Sequence, residues 1–175
     1  INFDWAPDNK KIVFTAFVGG VEPSEAGTEA PIVIDRFQFK EDWVGYLAGA
    51  RRQLHILDVD QKKTVQITYG DLDHWLPSWA PDGNWIAFVS KDRDDADRNI
   101  DSDVFIMAPK VGGEKRRISI SKGTDVDPYW ASPPQWSPDS QKLVWLESGD
   151  SKWIYYAPWQ LTIADINTGE VKALA

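Results

Sequence analysis

The sequence has no cysteine, a single methionine and only two histidines, and each shortage closes off a chemistry. Without cysteine there is no disulfide framework and no thiolate zinc site. That lack suits the cytoplasm and the periplasm equally and does not separate them. With only His55 and His74, a histidine-rich metal or acid–base centre is unavailable, and neither metal nor cofactor is expected. Positive charge is also short. Lys and Arg number 19 against 27 Asp and Glu, for a net charge of −8 and a pI near 4.7. Binding a nucleic-acid backbone needs clustered cations, and the densest basic run, Lys115-Arg116-Arg117, is brief. No apolar stretch approaches the ~20 residues that span a bilayer. Neither nucleic acid nor membrane is therefore an expected partner. The chain opens at Ile1, already inside a strand-like pattern, and reads as a piece of something longer.

What the sequence has in plenty is tryptophan, ten in 175 residues. Large planar side chains suit sheet-against-sheet packing. Three of them head a repeat that aligns without gaps: Trp5-Ala6-Pro7-Asp8-Asn9, Trp79-Ala80-Pro81-Asp82-Gly83 and Trp136-Ser137-Pro138-Asp139-Ser140. In each case Ile or Leu follows seven residues after the Trp, and an aromatic nine after it. Self-similarity of this kind signals a repeat architecture. The chemistry is that of a hairpin. Pro presets φ at the first corner, Asp bonds nearby backbone N–H groups, and Asn9 or Gly83 accepts a left-handed backbone. Ser140 is expected to take a plain type I turn instead.

Apolar runs follow each turn, such as Ile12-Val13-Phe14 and Ile86-Ala87-Phe88-Val89, with both alternating faces apolar. Strands of that kind are buried on both sides. A third strand comes next (Leu54 to Asp60, Val104 to Met107, Leu161 to Ile166), then a polar turn and a fourth strand (Thr64 to Thr68, Arg116 to Ser121, Val171 to Leu174). Hairpin, third strand and fourth strand make one propeller blade. The fold class is all-β: a β-propeller, or part of one, of four-stranded antiparallel blades. Residues 1–175 read as a single propeller segment, divided into a partial blade over 1–35 and whole blades over 36–70, 71–123 and 124–175. The second rests on Arg36 to Leu47 as a degenerate hairpin turning at Glu41-Asp42.

These residues resemble the propeller domain of the prolyl oligopeptidase family of serine peptidases, on its dipeptidyl-aminopeptidase and acylaminoacyl-peptidase side. The Trp-Ser-Pro-Asp-Gly hairpin is shared with TolB-like propellers and names only the blade type. The stretch from Pro31 to Thr68 is more specific: a short apolar strand, Arg36-Phe37-Gln38-Phe39-Lys40, then Gly45-Tyr46-Leu47, then His55-Ile56-Leu57-Asp58 leading to Gln66-Ile67-Thr68. Trp43 stands where the family usually has Gly. The resemblance implies a propeller that caps and restricts an active site whose Ser, Asp and His lie on a separate α/β-hydrolase domain. The implied partner is then a peptide substrate; the alternative is a free-standing TolB-like propeller that binds a protein or peptide. A propeller lyase or hydrolase acting on sugars, with its chemistry in missing blades, is a third reading.

No catalytic residue can be assigned within this chain. There is no Gly-x-Ser-x-Gly elbow, and the nearest run, Gly149-Asp150-Ser151-Lys152-Trp153, lacks the final Gly. The acidic run from Asp92 to Asp103 fails as a calcium loop, because Ala96, Asp97 and Asp103 occupy positions that need a ligand, Gly and Glu. It reads as a solvated connection between a blade's second and third strands. The loops entering two inner strands are better candidates. Asp71, Asp73, His74 and Trp75 in one, and Asp125, Asp127, Tyr129 and Trp130 in the other, put two carboxylates just before a pair of aromatic rings. At a channel mouth they would meet a cationic or peptide ligand. The plainer reading makes them turn-capping carboxylates and rings wedged between blades. Finally, an incomplete ring leaves apolar faces open to self-association, with Ile12, Phe14 and Phe17 expected at one end and Trp145, Ile163 and Ile166 at the other.

Overall fold

The structure is a computed structural model that describes the chain apart from Ile1, residues 21–30, Ile32, Trp43, Asp94, residues 128–131 and Ala175. Its organisation starts at the three Pro-Asp turns, which have the same hydrogen bonds. Asn9, Gly83 and Ser140 each donate their N–H to the carbonyl three residues back, at 2.9–3.0 Å. Asp8, Asp82 and Asp139 each accept from the backbone N–H two residues on, at 2.8, 2.9 and 3.1 Å. Each turn thereby satisfies its own backbone and reverses the chain.

Every turn joins the first and second strands of a blade. Blade 1 is β1 (Phe3–Trp5), β2 (Lys11–Val18), β5 (Arg51–Asp58) and β6 (Lys63–Gln66), hydrogen-bonded in that order. Blade 2 is β7 (His74–Trp79), β8 (Ile86–Ser90), β9 (Asp103–Met107) and β10 (Lys115–Arg117). Blade 3 has its first strand in two pieces, β11 (Gly123–Asp125) and β12 (Gln135–Trp136), both paired to β13 (Lys142–Asp150), with β14 (Gln160–Asp165) and β15 (Val171–Ala173) outside. All described pairings are antiparallel.

The division of the first 70 residues differs from expectation. Residues 3–66 form one whole blade, not a partial blade followed by a second. The segment that imitates a blade hairpin does fold back, as β3 (Lys40–Glu41) against β4 (Gly45–Tyr46), but as a separate two-stranded ribbon. It lies within a long insertion, residues 19–50, between β2 and β5. A second difference is Ser140. It is left-handed, with φ of 59°, like Asn9 at 57° and Gly83 at 76°. Its hydroxyl accepts the N–H of Asp82 at 2.9 Å in the neighbouring turn. A small polar side chain that bridges two blades therefore replaces the freer backbone of Gly at this position.

Blade 2 is buried on both sides, which explains its unbroken apolar runs. Ile86, Phe88, Phe105 and Met107 point towards Val13, Leu54 and Ile67 of blade 1. Ala87, Val89, Val104 and Ile106 point the other way, towards Leu143, Trp145, Ala164 and Ile166 of blade 3. Two inner-strand bonds tie the blades together: Trp79 N–H to Asp4 at 2.7 Å, and Trp136 Nε1–H to the carbonyl of Ser78 at 3.1 Å.

The outward faces of blades 1 and 3 follow from the same alternation. Phe3 and Trp5 are the most open on blade 1, with Ile12 and Phe14 half-buried beside them. Phe17, expected there, alternates instead onto the face of Val13 towards blade 2, under Arg52. On blade 3, Trp145 and Ile166 are buried against blade 2, contrary to expectation. Trp145 pairs with Thr162, one register step from the outward pair Val144 and Ile163, and a single step reverses the face. Leu161 and Leu174 are exposed instead.

Because neighbouring strands alternate in direction, the connections sort to two ends. The Pro-Asp turns and the turns between third and fourth strands lie at one end. At the other end lie the insertion of residues 19–50, the connections 91–102 and 151–159, and the links 67–73 and 118–122 that enter the next blade.

Candidate functional site

The inner strands are irregular where they begin, at the end carrying the long connections. In β7 the pairing with β8 shifts register between Trp75 and Ser78, and Leu76 is left-handed at φ 50°. In blade 3 the register shifts between Gly123 and Asp125, and Val126 is left-handed at φ 64°. A branched side chain in that region costs of order 1–3 kcal/mol and persists only where its surroundings enforce it. Both residues are buried in the core between blades 2 and 3, which supplies the enforcement. These kinks set the direction of the residues just upstream.

Asp71, Asp73 and Trp75 come together around a polar cavity of about 30 Å³, room for about one water. Arg36, Arg51 and Arg52 from the insertion and its exit line it too, with Lys91 and Asp97 from the connection after β8. Arg36 is the hub. Its Nε and Nη2 reach the two carboxylate oxygens of Asp97 at 2.9 and 2.5 Å, a bidentate fork. Nη2 also lies 3.4 Å from Asp73, and Nη1 donates to the carbonyl of Ala50 at 3.2 Å. Arg51 stands 3.6 Å from both carboxylates. Arg52 donates its backbone N–H to Asp73 at 2.6 Å, and its Nη2 reaches both carboxylate oxygens of Glu41. Its guanidinium lies over the Phe17 ring, 4.3 Å from the centroid.

Charge states follow from this crowding. Burial opposes charge on Arg36, but the bond to Asp97 and the nearby Asp73 outweigh it, and its pKa is raised. The Arg36 bond in turn holds the Asp97 carboxyl below its ordinary range. Burial lowers Lys91 despite four surrounding carboxylates, Asp97, Asp127, Asp73 and Asp101. Trp75 is 7% exposed, and its buried indole N–H has no acceptor among the described residues.

The other expected residues are placed differently. His74 is buried against Phe88, their ring centres 5.2 Å apart. Its Nδ1 has no partner among the described residues, and burial, with Lys115 adding to it, lowers its pKa to about 4. Asp125 is fully buried, accepting from Trp145 Nε1 at 2.9 Å and Ser121 Oγ at 3.0 Å. Burial outweighs those bonds and pushes its carboxyl up to about 7. Asp127 faces Lys91. Tyr129 and Trp130 lie outside the described residues. Pro7, Asp8, Pro81, Asp82, Pro138 and Asp139 sit in the turns at the opposite end and take no part in the site.

The acidic connection after β8 is not the solvated run expected. Asp97 closes the Arg36 fork. Asp103, 0% exposed, is shared by Arg93, at 2.8 Å, and Arg117, and Ser119 Oγ donates to it at 3.2 Å. Asp101 lies 3.6 Å from Arg93. Among the described residues, no group of three or more acidic or histidine side chains is arranged to hold a metal ion. Sequence reasoning passed over Arg36, Arg51, Arg52, Arg93 and Lys91. The one local signal was the Arg51-Arg52 pair entering a strand that otherwise reads as apolar.

The chain matches no protein-family model. It is 28% identical over 109 residues to the uncharacterized peptidase YuxL of Bacillus subtilis, a match covering 59% of this chain and 17% of that protein. It is 20% identical over 174 residues to dipeptidyl-peptidase 5 of Porphyromonas gingivalis, covering 99% of this chain and 20% of that one. It therefore spans a fifth or less of these relatives' lengths. Among solved structures it superposes on acylaminoacyl peptidase of Pyrococcus horikoshii with a TM-score of 0.65 at 15% identity, covering 99% of this chain and 25% of that one. TolB of Acinetobacter baumannii gives a TM-score of 0.53 at 17% identity, covering 100% and 43%. The chain has the β-propeller blade fold of TolB and acylaminoacyl peptidase and is similar in sequence to part of the peptidase YuxL and of dipeptidyl-peptidase 5.

Proposed function

We propose that this segment is the substrate-gating propeller of a prolyl-oligopeptidase-like serine peptidase, non-catalytic in itself. The observation that carries the reading is the two-ended build of the blades. All the long connections gather where the inner strands begin, and there they surround paired charges and a buried Trp. Tight turns close the other end. An entrance that admits peptides selectively needs adaptable loops on a rigid scaffold, and such loops concentrate at one end of a repeat fold. The peptidase names of the two relatives, which extend well beyond the matched region, support a hydrolase domain as the propeller's partner.

Under this reading the segment contributes no nucleophile, acid or base. It limits which substrates reach chemistry carried elsewhere in the polypeptide. The test is a length series of fluorogenic peptides, given to the intact polypeptide and to a variant with the insertion of residues 19–50 shortened. The intact polypeptide is expected to cleave short peptides and reject long ones, and the variant to accept longer ones. The segment alone is expected to turn over neither esters nor peptides. Turnover by the purified segment that disappears on Ser151→Ala or His74→Gln would overturn the proposal. A parent coding sequence without a Gly-x-Ser-x-Gly elbow followed by Asp and His would instead favour a free-standing propeller that binds a protein or peptide.

A further inference from the structure

The insertion between β2 and β5 is held in an unusual way. Among its described residues, the large apolar side chains Val33, Ile34, Phe37, Phe39, Val44 and Tyr46 are all exposed, from 38% to 73%. Of the apolar side chains described there, Leu47 and Ala50, near its exit, are the buried ones. Paired charges hold it instead. The fork from Arg36 reaches Asp97, on the connection after β8 of the next blade. The backbone N–H of Gln38 donates to the same carboxylate at 3.2 Å. Arg52 Nη2 holds both carboxylate oxygens of Glu41 of the ribbon. Arg36 is 8% exposed in its side chain, and Asp97 19%.

The exit of the insertion carries backbone suited to a change of direction: Ala48 and Gly49 have φ of 47° and 79°. Hinges are commonly a few small residues of this kind at the ends of an element. Beneath the insertion, Trp75 leaves its buried indole N–H without an acceptor among the described residues. A buried donor left unpaired costs free energy that an opened arrangement regains from water or a ligand.

From these features we infer that residues 33–50 form a strap that opens as a unit, with Arg36 as its latch. In the closed arrangement the Arg36 fork pins the strap across blade 2 and covers Asp73 and Trp75. When Arg36 leaves Asp97 and Asp73, the strap turns at Ala48 and Gly49 while the blades keep their packing. Regions held by few buried apolar contacts open at lower free energy than the core around them, which is the physical basis of such a unit. The inference concerns motion and goes beyond the gating reading.

Amide hydrogen exchange on the intact polypeptide tests it. In Arg36→Gln and Asp97→Asn, amides in residues 33–50 are expected to exchange at least tenfold faster than in the unaltered protein. Amides of β8 and β9 are expected to keep their rates. The charge swap Arg36→Asp with Asp97→Arg is expected to recover at least part of the lost protection, which separates pairing from a general folding defect. Unchanged exchange in residues 33–50 in both single variants would overturn the latch. So would an equal loss of protection in the strap and in β8 and β9. Faster strap exchange with unaltered peptide-length selectivity supports the latch and counts against the gating reading alone.

Discussion

The two ends of the blades are built on different principles. At the turn end, each Pro-Asp reversal is closed by bonds between residues two to five apart, repeated in all three copies, with a single added bridge from the Asp82 N–H to Ser140. At the loop end no two connections are alike. Their order comes from pairs far apart in sequence, such as Arg36 with Asp97 and Arg117 with Asp103. The turn end is thus stabilised piecewise, and the loop end collectively. Removing one carboxylate should therefore have unequal consequences at the two ends.

The largest expected effect is at the loop end. Asp103→Ala leaves Arg93 and Arg117 facing each other across a vacated, fully buried carboxylate site. A loss of about 3 kcal/mol is expected, the low end for removing one partner of a buried pair, because both guanidiniums keep some solvent. Denaturant midpoints measure it. A loss below that of a turn carboxylate would undo the comparison.

Two buried groups near the inner-strand starts sharpen it through pH. His74 is lowered to about 4 from an ordinary value near 6.5. The unfolded chain therefore binds more protons than the folded one across that interval, and stability rises with pH there. Asp125 is raised from 3.8 to about 7, so the folded chain binds more protons in between, and stability falls with pH over that range. The two slopes oppose each other between pH 4 and 6.5. Asp125→Asn should unmask the His74 slope, with stability climbing by up to about 1.4 kcal/mol per pH unit towards pH 6.5. His74→Gln should unmask the reverse, with stability declining from about pH 4 to pH 7. Urea midpoints across pH give both profiles, and parallel profiles for the two variants would refute the assignment.

At the turn end, Asp82→Ala removes the acceptor for the Asn84 backbone and side chain at an exposed site. A loss of roughly 1 kcal/mol is expected, by analogy with a lost helix cap. A still smaller change should come from Asn9→Gly, where Gly relieves a left-handed backbone at the cost of unfolded-state entropy. The two nearly cancel, to within about 0.5 kcal/mol. Thermal midpoints of the two variants rank them.

The same contrast decides what was legible in the sequence. The turns and most strands could be read because their causes are local: Pro at the corner, Asp just after it, and apolar residues alternating beyond. The blade over residues 3–66 was miscounted because the ribbon at Lys40–Tyr46 satisfies the same local hairpin pattern while pairing with neither β2 nor β5. Nothing local records that β2 waits for β5 across the insertion. The site was half legible. Asp71, Asp73 and Trp75 stand in a recognisable loop, but their partner Arg36 lies far upstream and was read only as part of a hairpin. Asp125 gave no sign of its burial, which depends on Trp145 folding over it from another strand.

The sorting of connections to two ends also governs how such a chain can change length. Each link between second and third strands leaves and re-enters at the same end, so its length is independent of blade geometry. The insertion of residues 19–50 is roughly 3.5 times as long as the connection at 151–159. The added closure entropy of a flexible loop so lengthened is only about 1 kcal/mol. New segments can therefore accumulate at one end of the molecule at little thermodynamic cost, while the Pro-Asp turns opposite must keep their length residue by residue to hold neighbouring blades in register.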